Sequence, residues 1–235
     1  MKKILMFCVA VMAMSIFAGN RAQAQNVQLL YDTERECATS TVEMFRPDKF
    51  GSTFFFIDFD YTPKASGAHW EIAREFSVFK NTGADWLTWH VEFNSGLDNT
   101  MSFNNAWLTG LTYSGHSEDF SKTWSLSAMY KWIPGTVGLD GKDQEHNFQI
   151  TGVWGISFAD GWCSFSGFAD FWKEARSWQG TEYIFIAEPQ FWVNLNKAKG
   201  WKDINLSIGG ELEISNNFVE KGFKAIPAIG AKWTF

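Results

Sequence analysis

Thr53-Phe54-Phe55-Phe56-Ile57-Asp58-Phe59-Asp60-Tyr61 is the stretch on which the fold turns. Successive side chains of an extended strand point to opposite sides. Phe55, Ile57, Phe59 and Tyr61 therefore share one face, and Phe54, Phe56, Asp58 and Asp60 share the other. Two aspartates cannot face hydrocarbon cheaply, so they mark an inner surface and their apolar neighbours an outer, lipid-facing one.

The same alternation recurs along the chain. Leu87, Trp89, Val91 and Phe93 oppose Thr88, His90, Glu92 and Asn94; Trp124, Leu126, Ala128 and Tyr130 oppose Ser125, Ser127 and Lys131. Phe148, Ile150, Trp154, Ile156 and Phe158 oppose Asn147, Gln149, Thr151 and Ser157, and Ile204, Leu206, Ile208 and Leu212 oppose Asp203, Asn205, Ser207, Glu211 and Glu213. The segments place strands at 26–32, 39–46, 53–61, 69–78, 86–96, 103–115, 123–132, 146–158, 162–173, 182–194, 203–214 and 223–235. The expected fold is all-β, a transmembrane antiparallel up-and-down β-barrel of about 12 strands.

Composition agrees. Aromatics make up 17% of the 235 residues, with 13 Trp and 23 Phe, while the mean hydropathy is only −0.18. A helical membrane protein cannot combine these values, whereas a barrel alternating lipid-facing and lumen-facing residues can. Trp and Tyr recur near strand ends, at Tyr61, Trp70, Trp86, Trp132, Trp162, Trp201 and Trp233, as in the girdles at membrane interfaces. A soluble lipocalin-like barrel also alternates, but with its apolar face inward and about eight strands.

Residues 1–24 read as a signal peptide: Lys2 and Lys3, an apolar run from Ile4 to Ala18, then Ala22-Gln23-Ala24 as a cleavage site. The barrel is then 25–235. Removing the leader takes away Lys2, Lys3 and Arg21 and no acid, leaving 17 basic and 26 acidic groups, a net charge of about −9. That balance argues against a nucleic-acid partner. With both ends on the periplasmic side, connections after odd strands should be extracellular and longer, and those after even strands short. The longest, Ile133 to Glu145, follows the seventh strand; Ala159-Asp160-Gly161 after the eighth reads as a tight Asp-Gly turn. The same topology puts Cys37 and Cys163 at opposite ends, which disfavours a disulfide. Gly222 to Phe235 alternates to an aromatic carboxy-terminus, similar to the signal that the outer-membrane assembly machinery reads on its clients.

Two residues fit badly. Arg74 shares parity with Trp70, Ile72 and Phe76, which aims it at lipid, at a cost of about 2–4 kcal/mol at the midplane. A bulge near Ile72–Arg74, or a kink pairing Arg74 with Glu71 or Glu75, would remove the conflict. Pro227 deletes a ladder donor in the last strand.

The acids set the inner parity, so the expected lumen wall holds Phe54, Phe56, Asp58, Asp60, Glu71, Glu75, His90, Glu92 and Asn94. Glu43, Gln149, Asp170, Glu188, Gln190, Glu211 and Glu213 complete it. A wall richer in acids than bases disfavours anionic solutes and suits neutral or cationic ones. Phe54 and Phe56 can stack on a planar ring while Asp58 and Asp60 accept hydrogen bonds from hydroxyls; the plainer reading is that both rings fill a narrow interior.

Phe50-Gly51-Ser52-Thr53-Phe54-Phe55-Phe56-Ile57-Asp58-Phe59-Asp60-Tyr61, with Thr41-Val42-Glu43-Met44-Phe45-Arg46-Pro47-Asp48 before it and Glu71-Ile72-Ala73-Arg74-Glu75 after it, resembles the Tsx-type nucleoside-specific channels of the outer membrane. It resembles still more a group of related Gram-negative outer-membrane barrels. The resemblance implies a monomeric twelve-stranded barrel with a narrow, aromatic and ionisable lumen that passes nucleosides. Phe54, Phe56 and Asp58 sit in the matching motif positions. The expected partners are outer-membrane lipid and a small solute, and no cofactor is called for.

Other classes have weaker support. A lipid A-modifying barrel enzyme needs Ser, His and an acid together; His90 and Glu92 share a face, but Ser95 lies on the other parity, and His69 with Glu71 is similar. His69, His90, His116 and His146 show no metal-ligand spacing. A structural or surface-binding barrel without transport is the third reading.

Overall fold

The computed structural model describes residues 24–61, 66–98 and 105–235. The strands are β1 (Ala24–Asp32), β2 (Cys37–Asp48), β3 (Gly51–Tyr61), β4 (Ser66–Phe76), β5 (Leu87–Asp98), β6 (Ala106–His116), β7 (Lys122–Trp132), β8 (His146–Phe158) and β9 (Cys163–Arg176). They continue with β10 in two segments (Thr181–Ala187 and Gln190–Asn194), β11 (Leu206–Asn216) and β12 (Phe223–Thr234). The leader expected at 1–24 lies outside the described residues except for Ala24, as does the expected start of the sixth strand at 103.

Each strand pairs antiparallel with the next, and β12 returns to β1 from Asn26↔Thr234 to Asp32↔Ala228. The sheet is thus a closed twelve-stranded barrel, and closure leaves no strand edge unpaired in the membrane. Among the described residues no helix is long and apolar enough to cross a membrane; the crossing elements are strands. Following paired positions once around the ring returns to β1 shifted by ~16 residues, which sets a steep tilt of ~45°. Such a barrel is wider than an eight-stranded one, so long inward side chains must occupy its interior.

Outside, Leu29, Ile72, Leu111, Leu126, Ile150 and Ile208 are exposed on the isolated chain, as a lipid-facing belt should be. Exposed aromatics cap the belt at both ends. Trp86, Trp89, Tyr113, Trp124, Phe158 and Trp162 ring the end that holds residues 24 and 235, here the terminal end; Trp107, Tyr130, Trp132, Phe148 and Tyr183 ring the opposite end. The Trp132 indole donates to Glu145 at 3.1 Å, the apolar-body, polar-tip arrangement that favours these residues at an interface.

The turn after β8 forms as the Asp-Gly signal predicts. Gly161 N–H donates to Phe158 and Trp162 N–H to Ala159, with Ala159, Asp160 and Gly161 all at positive φ (52°, 55° and 82°). Ala159 carries the Cβ penalty of the left-handed region, about 1 kcal/mol or more. Ala159→Gly is therefore expected to raise the urea midpoint of vesicle-inserted protein, by about 1 kcal/mol of stability. A lower midpoint would show that the turn is not strained.

Loop lengths correct one expectation. The long connection 133–145 lies opposite the termini as expected, but connections 77–86 and 195–205, after even strands, are also long. Both are folded by local bonds, such as Lys80 N–H to Ser77 and Ile204 N–H to Trp201, so length alone does not mark a side. Cys37 and Cys163 are free thiols.

Arg74 needs neither bulge nor kink. The β3–β4 and β4–β5 ladders run unbroken through it, and it does not pair with Glu71 or Glu75. Its guanidinium grips both Asp48 oxygens at 2.8 and 2.9 Å and Thr53 Oγ1 at 3.0 Å. Asp48 ends β2 beside the terminal-end turn, so Arg74 sits at the rim of the wall, where a fork-shaped ion pair is wet and the midplane penalty does not apply. Pro227 lies one position beyond the last β1–β12 pair, Asp32↔Ala228. Its carbonyl accepts from Thr33 N–H at 3.2 Å and Thr33 Oγ1 at 3.0 Å; its missing donor faces only the β1–β2 turn.

Candidate functional site

The inner face carries the expected residues. Phe54, Phe56, Asp58 and Asp60 point inward from β3, Glu71 and Glu75 from β4, and His90, Glu92 and Asn94 from β5. Shared sides follow from pairs such as Glu43↔Phe56, Phe56↔Glu71 and Glu71↔Asn94. Gln149, Asp170, Glu188, Gln190, Glu211 and Glu213 follow the same parity around the other half of the ring.

The most tightly knit group is Glu75–His90–Glu92. His90 Nδ1 lies 2.6 Å from Glu75 and Nε2 3.0 Å from Glu92, an arrangement that the two N–H donors of an imidazolium satisfy. Thr112 and Thr88 donate to Glu75, Asn94 donates to Glu92 at 3.1 Å, and Thr112 meets Ser127 at 2.8 Å. Both ring nitrogens are engaged by carboxylates and none by a hydroxyl, so this is not the geometry of a serine nucleophile with its base. Among the described residues no group of His, Cys, Asp and Glu is arranged to hold a metal.

Around mid-height the carboxylates face one another across the lumen. Glu188 on β10 interacts with Asp58 on β3 and with Glu211 on β11, and Glu71 on β4 interacts with Asp170 on β9. Asp58, Glu71, Asp170, Glu188 and Glu211 are deep in the barrel but only half-buried, so they border free internal volume. Glu92 and Glu213 are packed away, at 4% and 6% exposure; Glu213 is held by Arg35 at 2.7 Å. On the β3–β4 side, Phe56 lies 6.1 Å from Phe54 and 5.5 Å from the His69 ring, an aromatic ledge beside the acids. Thr41 donates to Asp58 and Thr39 to Asp60.

The inner face also holds residues the alternation did not reveal. Trp192 and Ile184 are fully buried, and Leu30, Leu108, Met129, Trp172 and Ile186 are nearly so, packing in clusters inside the wall. Two lysines sit on indole faces, Lys131 over Trp172 and Lys232 over Trp192, each 4.5 Å from the ring. The sequence put Lys131 on the polar parity; only folding shows that indoles seat both lysines. Asn26 and Gln28, inward on β1, tie into Glu43 through a 2.9 Å bond from Asn26. Two clefts lie at the terminal end. One, of about 380 Å³, is lined by Phe45, Ser52, Glu75, Lys80, Asp85 and Thr88. The other, of about 460 Å³, is lined by Ser157, Asn194, Asn196, Lys197, Ser207 and Thr234.

A closed antiparallel wall, apolar outside, girdled by aromatics and ionisable within, defines a porin-like transmembrane β-barrel of the outer-membrane type. Within that class the chain belongs to the family described as Domain of unknown function (DUF5020), whose model matches residues 24–235. Among solved structures it is similar in fold to the NanC porin, with 8% identity and a TM-score of 0.59 over 90% of this chain and 100% of that one. It is also similar to the KdgM porin in complex with disordered oligogalacturonate, with 9% identity and a TM-score of 0.52 over 89% and 99%. No curated protein matches the sequence significantly.

Proposed function

We propose that this barrel is an outer-membrane channel for small neutral or cationic solutes, with nucleosides the best-fitting class, exported by a leader cleaved before Gln25. The observation that carries the reading is the set of half-buried carboxylates, Asp58, Glu71, Asp170, Glu188 and Glu211, that border free volume at mid-barrel. A lumen lined this way repels anions and tolerates neutral and positive solutes. The acidic oligosaccharide found with the KdgM porin is the kind of cargo such a wall disfavours. Phe54, Phe56 and His69 support a planar ring by stacking, and Asp58 and Asp60 can accept from sugar hydroxyls.

Proteoliposome swelling tests this. Nucleosides are expected to enter faster than sugars of equal size, and Phe56→Ala or Asp58→Ala to erase most of that preference while leaving the barrel folded. Equal rates for all small solutes would reduce the protein to a general pore. The buried inward side chains Trp192, Ile184 and Leu108 favour a second reading, a closed structural barrel; absence of any swelling would select it.

A further inference from the structure

Among the described residues the ladder between β10 and β11 is interrupted at one place. β10 breaks between Ala187 and Gln190, and its pairing with β11 splits into three pairs above the gap and five below. Pro189 fills the gap. Leu212 N–H donates to the Pro189 carbonyl at 3.0 Å, but proline has no N–H to return to Leu212, so half of that paired bond is missing. At membrane depth no water replaces a lost ladder donor. On its other side Leu212 faces the wall's second outward proline, Pro227 on β12. Across from the break on β9 stands Gly167, at φ +157°, where a Cβ would lie 2.4 Å from the Glu188 carbonyl oxygen.

The inner side of the same seam gathers carboxyl groups. Glu188 falls opposite Glu213 and interacts with Glu211, Glu213 and Asp58. Glu213 has Arg35, and Glu211 has Gln190 Nε2 at 3.0 Å; Glu188 accepts no side-chain hydrogen bond among the described residues. A missing bond outside and carboxylates inside thus meet at one height on one pair of strands.

We propose that the β10–β11 seam is a lateral portal joining the lumen to the bilayer, and that it admits single-chain amphiphiles with a cationic head. The ammonium head sits among Glu188, Glu211 and Asp58 and satisfies the charge that Arg35 leaves uncompensated. The alkyl tail leaves the wall past Pro189, Leu212 and Pro227 into lipid. This rests on the lumen being a space that holds solutes, and adds a second route into it.

A reversible lock tests the portal. In a Cys37→Ala/Cys163→Ala background, Ala187→Cys with Ile214→Cys places two thiols directly opposite across the seam, within disulfide reach. The probe is a decyltrimethylammonium analogue with a diazirine beside the ammonium, photolysed in vesicles and mapped by mass spectrometry. Reduced protein should be labelled on inward Glu188, Gln190 and Glu211. Oxidation should cut that labelling at least ten-fold and dithiothreitol should restore it. Pro189→Ala, which returns the donor to Leu212, should have the same effect without a disulfide. A decyl sulfate analogue should label only the outer wall. Lumen labelling indifferent to both the lock and Pro189→Ala, or missing from reduced protein, overturns the portal. Nucleoside swelling should not respond to the lock, so a failure of swelling with lock-sensitive labelling would remove only the channel reading.

Discussion

Trp192→Ala is expected to destabilise the barrel by about 3–5 kcal/mol, the usual loss for truncating a fully buried Trp, and at the same time to raise single-channel conductance several-fold. Trp192 is completely buried on the inner face. Its indole donates to Gln190 at 3.0 Å, and its ring seats the Lys232 ammonium. The variant removes three contacts together: apolar packing with Leu30 and Ala228, the hydrogen bond, and the cation–π contact. The side chain also occupies lumen, so its removal widens the path between the polar terminal-end cleft and the mid-barrel acids. Urea titration of vesicle-inserted protein reads the first effect and planar-bilayer recording the second. Unchanged conductance in a folded variant would place the constriction elsewhere.

Lys131→Met should be nearly as damaging, at about 3–5 kcal/mol, because it removes one partner of a buried charge network. Lys131 is 5% exposed, donates to Gln149 at 2.7 Å and stands over Trp172. Around its ammonium lie Glu174, Glu92, Asp170 and Glu71. Methionine keeps the bulk but leaves those carboxylates facing one another without a cation. The check is urea titration of vesicle-inserted variant and parent. A variant as stable as the parent would contradict the role given to Lys131.

The lumen acids were legible because a carboxylate is an unambiguous marker: it cannot face acyl chains, so Asp58 orients all of β3 and Glu92 all of β5. Where no such marker interrupts an apolar run, parity was lost. Tyr183-Ile184-Phe185-Ile186-Ala187 is apolar on both faces, and only the fold shows Ile184 and Ile186 buried inside while Tyr183 is exposed outside. Phe171 and Trp172 are adjacent aromatics; one faces lipid and the other the lumen. Arg74 looked misplaced because sequence parity carries no depth. Its partner Asp48 is 26 residues away and belongs to the neighbouring rim, not to its own strand.

By itself the sequence determined the strands, their number, which face each charged strand turns inward, and an acidic interior, because a two-residue period against two solvents is a local rule. The tertiary structure alone decided how full that interior is, that His90 is clasped by Glu75 and Glu92, that indoles carry the two lumen lysines, and that one seam is short of a bond. These depend on which strands close the ring and with what stagger. Closure brings together residues separated by more than a hundred positions, such as Asp58 and Glu188, and no periodicity along the chain encodes that distance.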